Sequence, residues 1–357
     1  MLATVKVLIK KVVKKVVPFR FWEPLVECKR RIYGFQQRLR KFLVGEDSLS
    51  DGAREHQYLG KINNDDNCHW VIVPHYYWFP EALQLKKRFA LYLPDYMPHF
   101  FHATGEFVAD EGHNTELGKS LAAQANVVFC NSHFTKNYLP NSRLKVDSDK
   151  IKVFYLPLLN SQARGCSVEG DLPNGLEENK YIFYPTQPRA NKNLSLLLLV
   201  FDRLINRGHD LKLVLTCTLE PDPKAFAVYN SLKCKERIVI LNRVSDHLLK
   251  VIYQKAALLC FTSVAEGNFP PQIHEALAYR VPVVAPNLGF IKERIPEYLA
   301  GSLLLCQADN QESFVSACET VLASDRDAIL EQQDKLLEVI SQEGEQDFLN
   351  KMVGMFR

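Results

Sequence analysis

Long apolar runs are missing from this chain. Lysines interrupt every N-terminal apolar stretch before the ~20 residues that a bilayer-spanning helix requires, and the same lysines break the core that a signal peptide would need. Nine cysteines, an odd number without a C-x-x-C pair, argue against a disulfide framework or a zinc ribbon and point to reduced thiols in the cytosol. Several lie in apolar runs, where cysteine acts as a small hydrophobe. His99 and His102 stand three apart, but no carboxylate or cysteine at ligand spacing completes a metal set, so no metal and no cofactor are expected. No internal repeat, low-complexity tract or recognised nucleic-acid motif is present, which argues against a nucleic-acid partner.

The near-neutral balance, +3 overall, conceals a strong asymmetry. Residues 1–43 hold twelve Lys and Arg against Glu23 and Glu27, a net +10, so the other 314 residues carry −7. On a helix, Val5, Leu8, Ile9, Val12 and Val16 share one face while Lys10, Lys11, Lys14 and Lys15 share much of the other. A second amphipathic segment follows, with Leu25, Cys28, Ile32, Phe35, Leu39 and Phe42 at helical spacing. Such an arm suits an anionic membrane surface; the alternative is that both helices cover the body of the protein. The first reading predicts a cytoplasmic protein, peripheral at the inner face of a membrane.

Beyond the arm, residues 44–69 are polar and turn-rich and read as a linker. Strand-like runs at Trp70–Val73, Phe89–Leu93, Asn126–Cys130 and Ile151–Tyr155 alternate with helical segments, giving a small α/β domain over residues 70–160. Gly165, Gly170, Pro173 and Gly175 mark residues 161–179 as a hinge. Strands near 180–185, 211–216, 237–241, 257–262, 282–285 and 302–306 then alternate with helices, the pattern of a doubly wound parallel sheet over residues 180–330. Residues 331–357 form a closing helical segment.

The second domain carries the candidate site. Tyr181–Tyr184 is an apolar strand, Pro185 and Pro188 break it, and Leu194, Leu197, Leu198, Phe201, Leu204 and Ile205 recur at helical spacing. Arg189 and Lys192 therefore stand at a strand-to-helix turn, where helix N-termini already carry partial positive charge; an anion such as a diphosphate would complete the arrangement. The alternative is a pair of solvated loop cations. The run Glu266-Gly267-Asn268-Phe269-Pro270-Pro271-Gln272-Ile273-His274-Glu275 follows a second strand and opens a helix at Pro271, since proline tolerates the first helical position. Glu275 on that helix can accept two hydrogen bonds from vicinal hydroxyls, as a ribose offers, and Glu266 on the loop can reach a sugar. Otherwise Glu275 simply balances its own helix dipole and Glu266 is a surface charge.

In order along the chain, Ala125–Lys136, Ile151–Pro157, Arg189–Asn193 and Ser263–Val284 resemble the retaining GT-B glycosyltransferases of glycosyltransferase group 1 (family 4-like). The resemblance covers about residues 70–330 and implies two Rossmann-like domains facing a cleft. It implies that Glu266 contacts the donor hexose and Glu275 the ribose, with Arg189, Lys192 and Asn193 on the diphosphate and the backbone N–H groups of Gly267, Asn268 and Phe269 near sugar and phosphate. Asp95 and His99, on a turn after the second strand, match turns that face the acceptor in the family. Fixed positive groups aimed at the departing phosphate oxygen stabilise the transition state more than the ground state. The family manages this without a metal, and no D-x-D pair stands in a matching position here.

Three features depart from the family. Glu266 and Glu275 enclose eight residues, one more than usual. Tyr279-Arg280 replaces the glycine that often ends this helix, so the turn must be made differently. Residues 1–69 hold no opening strand with a glycine-rich loop, so the N-terminal domain reads as reduced. The chain is thus expected to be a hexosyltransferase acting from a nucleotide-diphosphate sugar, with retention, on a glycan or lipid-linked acceptor. A compact enzyme, a fragment of a longer one, a non-catalytic GT-B-like subunit binding a partner enzyme or glycolipid, and a nucleotide-sugar epimerase stay open.

Overall fold

Two parallel sheets organise the protein, and their strand orders explain where a ligand can lie. The computed structural model describes residues 59–74, 80–95, 111–155, 169–342 and 345–355. The chain divides into two compact units, 1–64 and 65–357, and both sheets lie in the second. The proposed basic arm, residues 1–43, falls outside the described residues, as does His99.

The first sheet is formed by β1 (Trp70–Val73), β2 (Arg88–Tyr92), β3 (Val127–Cys130) and β4 (Ile151–Val153), in the spatial order β1-β2-β3-β4. Every pairing is parallel, with Val73 beside Leu91, Leu91 beside Val128 and Val128 beside Ile151. Parallel neighbours need crossovers, supplied by α1 (Glu111–Gln124) between β2 and β3 and by α2 (His133–Tyr138) between β3 and β4. Ser132 starts α2 as its N-cap: its hydroxyl accepts from Thr135 N at 2.9 Å, satisfying a donor that the first turn would otherwise leave free.

The second sheet holds β5 (Tyr181–Tyr184), β6 (Lys212–Leu215), β7 (Ile238–Ile240), β8 (Leu258–Cys260), β9 (Val283–Pro286) and β10 (Leu304–Cys306) in the order β10-β9-β8-β5-β6-β7. Every residue of β5, β8 and β9 is buried, as an all-parallel sheet with helices on both faces requires. The helices are α3 (Leu194–Asn206), α4 (Pro223–Ser231), α5 (Asp246–Gln254), α6 (Pro271–Ala278), α7 (Gly289–Lys292), α8 (Gln311–Ala323) and α9 (Arg326–Ser341). On α3, Leu194, Leu197, Leu198, Phe201 and Leu204 are fully buried in this core, the face that their spacing predicts. Strand order reverses between β5 and β8, so the crevice outside their carboxyl ends is the place where doubly wound sheets bind ligands.

Helix α6 stops without glycine. Arg280 takes a left-handed conformation, φ 56°, while Val281 N bonds Ala276 O at 2.8 Å and Arg280 N bonds Leu277 O at 3.1 Å, the paired bonds of a Schellman ending. The backbone cost of a non-glycine residue there, about 1–2 kcal/mol, is borne by the surrounding structure: Arg326 donates to the Arg280 carbonyl at 3.3 Å and Arg280 pairs with Asp334 at 3.2 Å.

The last helix, α10 (Glu345–Met355), returns to the first sheet. Phe348, Met352 and Met355 pack with Ala90, Phe129 and Phe154, and Phe129 also stacks on Tyr92 with ring centroids 4.8 Å apart. One face of the small domain is therefore sealed by the far end of the chain.

Candidate active site

The basic turn is built by the end of β5. Arg189 is extended, φ −131° and ψ 145°, and caps a one-turn 3-10 helix, Ala190–Lys192. Asn193 then adopts φ 49°, ψ 47° before α3 begins. Arg189 and Lys192 thus bracket a separate turn instead of lying in the first turn of α3. That turn is tied to the end of β8: the Asn191 carbonyl accepts from Val264 N at 2.8 Å and from the Ser263 hydroxyl at 2.7 Å, and the Lys192 carbonyl accepts from the Thr262 hydroxyl at 2.9 Å.

Across this junction Lys192 Nζ pairs with Glu266 Oε1, with both side chains largely shielded, 10% and 17% exposed. The Ser263 hydroxyl lies 2.6 Å from the same carboxylate oxygen; its single proton serves either Glu266 or the Asn191 carbonyl at one time. Asn191 Nδ2 donates to Ala265 O at 3.0 Å and holds the loop from beneath. Burial pulls the Arg189 guanidinium below its ordinary range, opposed by the carboxylates of Glu266 and Asp95. Two cations and two carboxylates therefore share the switch point, Asp95 arriving from the end of β2. A shielded ion pair is poor evidence for stability, since desolvation offsets most of its attraction.

Glu275 is held apart from that cluster, just beyond the first turn of α6. Its Oε2 accepts from the Tyr253 hydroxyl at 2.8 Å. Tyr253 is fixed between Tyr279, stacked at 5.6 Å, and Phe183, edge-on at 4.9 Å. Burial pushes the Glu275 carboxyl up to about 7, opposed by the Tyr253 hydrogen bond. Its neighbour His274 is 3% exposed, its Nε2 has no hydrogen-bond partner, and burial, helped by Arg294, pulls it down to about 4. Adjacent residues thus carry opposite displacements: a carboxyl that resists ionisation beside an imidazole that resists protonation.

The small domain meets the acidic loop at Gly267, whose carbonyl accepts from the Ser132 and Thr135 hydroxyls at 2.6 and 2.7 Å. A Cβ on Gly267 would stand 2.3 Å from Pro94 O and 2.4 Å from Asp95 Cβ. Only glycine lets the loop approach β2 so closely.

Arg189, Lys192, Glu266 and Asp95 are therefore brought together, whereas Asn193 is not: its amide donates to Asp309 Oδ1 at 2.8 Å. The Phe269 side chain lies in the core of the second sheet, 5% exposed, leaving only its backbone for the loop, and Asn268 is half-buried. Asn191, Ser263, Tyr253, Ser132 and Thr135 join the site without having been singled out for it from the sequence. Asn191 lies inside the R-x-x-K turn and Ser263 three residues before Glu266, so adjacency was available as a signal for both. Tyr253 gave none, being one more aromatic on an apolar helix face.

Two parallel Rossmann-like sheets, with the ligand crevice outside their strand ends, define a GT-B-like fold. Residues 179–324 match the family model for glycosyl transferases group 1. Over 90 residues the chain is 31% identical to the O-antigen chain mannosyltransferase RfbU of Salmonella typhimurium, a match covering 25% of this chain and 24% of the relative. S. aureus TarM, a mutant solved in complex with fondaparinux, alpha-GlcNAc-glycerol and UDP, has a similar fold with a TM-score of 0.65 at 15% identity, covering 88% of this chain and 61% of TarM. HepE of Anabaena, in complex with UDP, gives a TM-score of 0.63 at 13% identity, covering 85% of this chain and 81% of HepE. The chain thus spans about a quarter of the mannosyltransferase and about three fifths of TarM.

Proposed function

We propose that this protein is a glycosyltransferase that moves a hexose from a nucleotide-diphosphate sugar to a glycan or lipid-linked acceptor, with retention and without a metal. The observation that carries the reading is the convergence of Arg189, Lys192 and Glu266 at the β5/β8 switch point. The family match over the same domain supports it. Arg189 and Lys192 would bind the diphosphate. As the anomeric bond breaks, negative charge grows on the departing phosphate oxygen, and fixed cations stabilise it more than they stabilise bound donor. Glu266 and the loop N–H groups of Gly267, Asn268 and Phe269 would orient the hexose, Glu275 the ribose, and Asp95 with His99 the acceptor. Lys192 must then exchange part of its contact with Glu266 for a phosphate oxygen, leaving Glu266 free to accept from sugar hydroxyls.

The charge of residues 1–43 supports a site of action on an anionic, cytoplasmic membrane surface. Among the described residues no helix is long and apolar enough to cross a membrane. The second reading, a non-catalytic GT-B-like subunit that binds a partner enzyme or glycolipid, is favoured by the first sheet, which has four strands among the described residues.

A thermal-shift screen with GDP-, UDP- and dTDP-linked sugars should identify one base, and calorimetry with that diphosphate should then show at least tenfold weaker binding for Lys192→Ala. Unchanged affinity in that variant would remove the phosphate site. Tight binding with no turnover on any acceptor would select the non-catalytic reading.

A further inference from the structure

Helix α2 is clamped between two elements of the other domain. On one side Ser132 and Thr135, both fully buried, fill the Gly267 carbonyl with hydroxyl donors at 2.6 and 2.7 Å. A carbonyl oxygen has two lone pairs, so nothing more is needed there. Ser132 at the same time accepts from Thr135 N at 2.9 Å, which occupies a lone pair and leaves its proton free for Gly267. On the other side, Phe134 N donates to Glu293 Oε2 at 2.7 Å, and the Phe134 ring meets Phe290 edge-on at 5.6 Å. A Cβ on Gly289 would stand only 2.7 Å from that ring. Below, the Arg294 guanidinium lies 4.0 Å from the Tyr155 ring centroid.

Two features make the Gly267 contact more than domain packing. Gly267 follows Glu266 directly, so anchoring its carbonyl restrains the loop one residue beyond the Glu266 carboxylate, which lies between Lys192 and Ser263. Both donors also come from the opposite domain, so any hinge opening that withdraws α2 breaks both bonds and exchanges them for water.

We propose that Ser132 and Thr135 are positioning residues that make the geometry of the Glu266 loop conditional on closure of the small domain. Their hydroxyls are buried against the Gly267 carbonyl and act through it. This inference deepens the proposed function and rests on it for its catalytic readout. In the closed state Glu266 is aimed at the hexose. In an opened state the loop is released while Arg189 and Lys192, stapled to β8 by Asn191, Ser263 and Thr262, keep their place. Diphosphate binding and turnover are therefore separable.

The test is the full chain carrying Ser132→Ala with Thr135→Val, compared with Thr135→Ser, which keeps the donor. Turnover, read as nucleoside-diphosphate release from the sugar nucleotide that the wild type accepts, should fall at least tenfold in the double variant. Affinity for the matching nucleoside diphosphate should stay within about twofold. Thr135→Ser should retain most of the activity, and amides of residues 264–269 should exchange with deuterium at least tenfold faster in the double variant. Wild-type turnover, or affinity that falls in step with turnover, would overturn the assignment. Should the double variant not fold, Thr135→Val alone must reproduce the split between turnover and affinity. Should the wild type bind none of the three nucleoside diphosphates, the proposed function falls, while hydrogen exchange still decides the clamp: unchanged exchange overturns it.

Discussion

The two sheets of this protein contribute different things to one crevice. The second has six strands, three of them buried at every position, and supplies the charge: Arg189, Lys192, Glu266 and Glu275. The first has four strands among the described residues, with β1 last in their order and its Ile72 47% exposed. It supplies two hydroxyls, an aspartate and the wall against Gly267. On the proposed reading, the charged groups belong to the more deeply packed body. There side chains are held by a dense core, while the lighter domain regulates their geometry by docking.

The largest effect that could break this comparison concerns the Lys192–Glu266 pair. Removing one partner leaves a shielded charge uncompensated, at a cost of about 3–5 kcal/mol for a buried pair. Lys192→Met or Glu266→Gln alone should therefore lower the denaturant midpoint visibly, and the double variant should recover much of that loss. Turnover should fall in all three by about 10²–10³-fold, the scale of losing one preorganised transition-state contact. A double variant that regains turnover along with stability would show that the pair serves the fold alone.

Next in size is the pH response of α6. The Glu275 carboxyl is raised from 4.5 to about 7, so the folded state holds the proton more tightly. Its contribution is complete below pH 4.5 and is lost as pH rises towards 7, by at most about 3 kcal/mol. His274 is lowered from 6.5 to about 4; its contribution is complete above 6.5 and is lost as pH falls towards 4, by a similar amount. Between pH 4.5 and 6.5 the two slopes oppose each other. Chemical denaturation of His274→Leu should show stability declining as pH rises through this window, and Glu275→Gln should show the reverse. Matching slopes in the two variants would contradict the assignment. The comparison is sharpened because both residues belong to the charged domain, so changes in the small domain should leave these slopes alone.

The smallest effect lies at the seam. Gly267→Ala must displace Pro94 or Asp95, an overpacking cost of about 1–3 kcal/mol, with a fall in turnover from the disturbed Glu266 loop. Gly301→Ala, with nothing within 4 Å of the new Cβ, is the control and should shift the melting temperature little. Equal shifts for the two would mean that the small domain does not press on the loop.

Much of this architecture was legible because its signals are local. The apolar runs that become β1 to β10 and the helical spacing on α3 follow from burial on a pleated or coiled backbone. The R-x-x-K turn and the two glutamates were visible because loops at strand ends carry side chains unsuited to a core. Less legible were Tyr253, which looks like core until Glu275 is found beside it, and α10, whose partners lie more than 190 residues earlier on β2, on β3 and just past β4. Asn193 was legible as a polar residue in the right turn, but a left-handed backbone at that position directs its amide to Asp309.

Sequence alone determined the alternation of strands and helices, the concentration of positive charge in residues 1–43 and the chemical identity of the cations and acids, since each depends on residue type and near-neighbour spacing. Tertiary structure decided which of those groups meet. It ran β5 beside β8, joined Lys192 to Glu266 across 74 positions, and laid Ser132 and Thr135 on Gly267 across more than 130. Such contacts depend on strand order and domain docking, and no local pattern in the chain encodes a distance between residues so far apart.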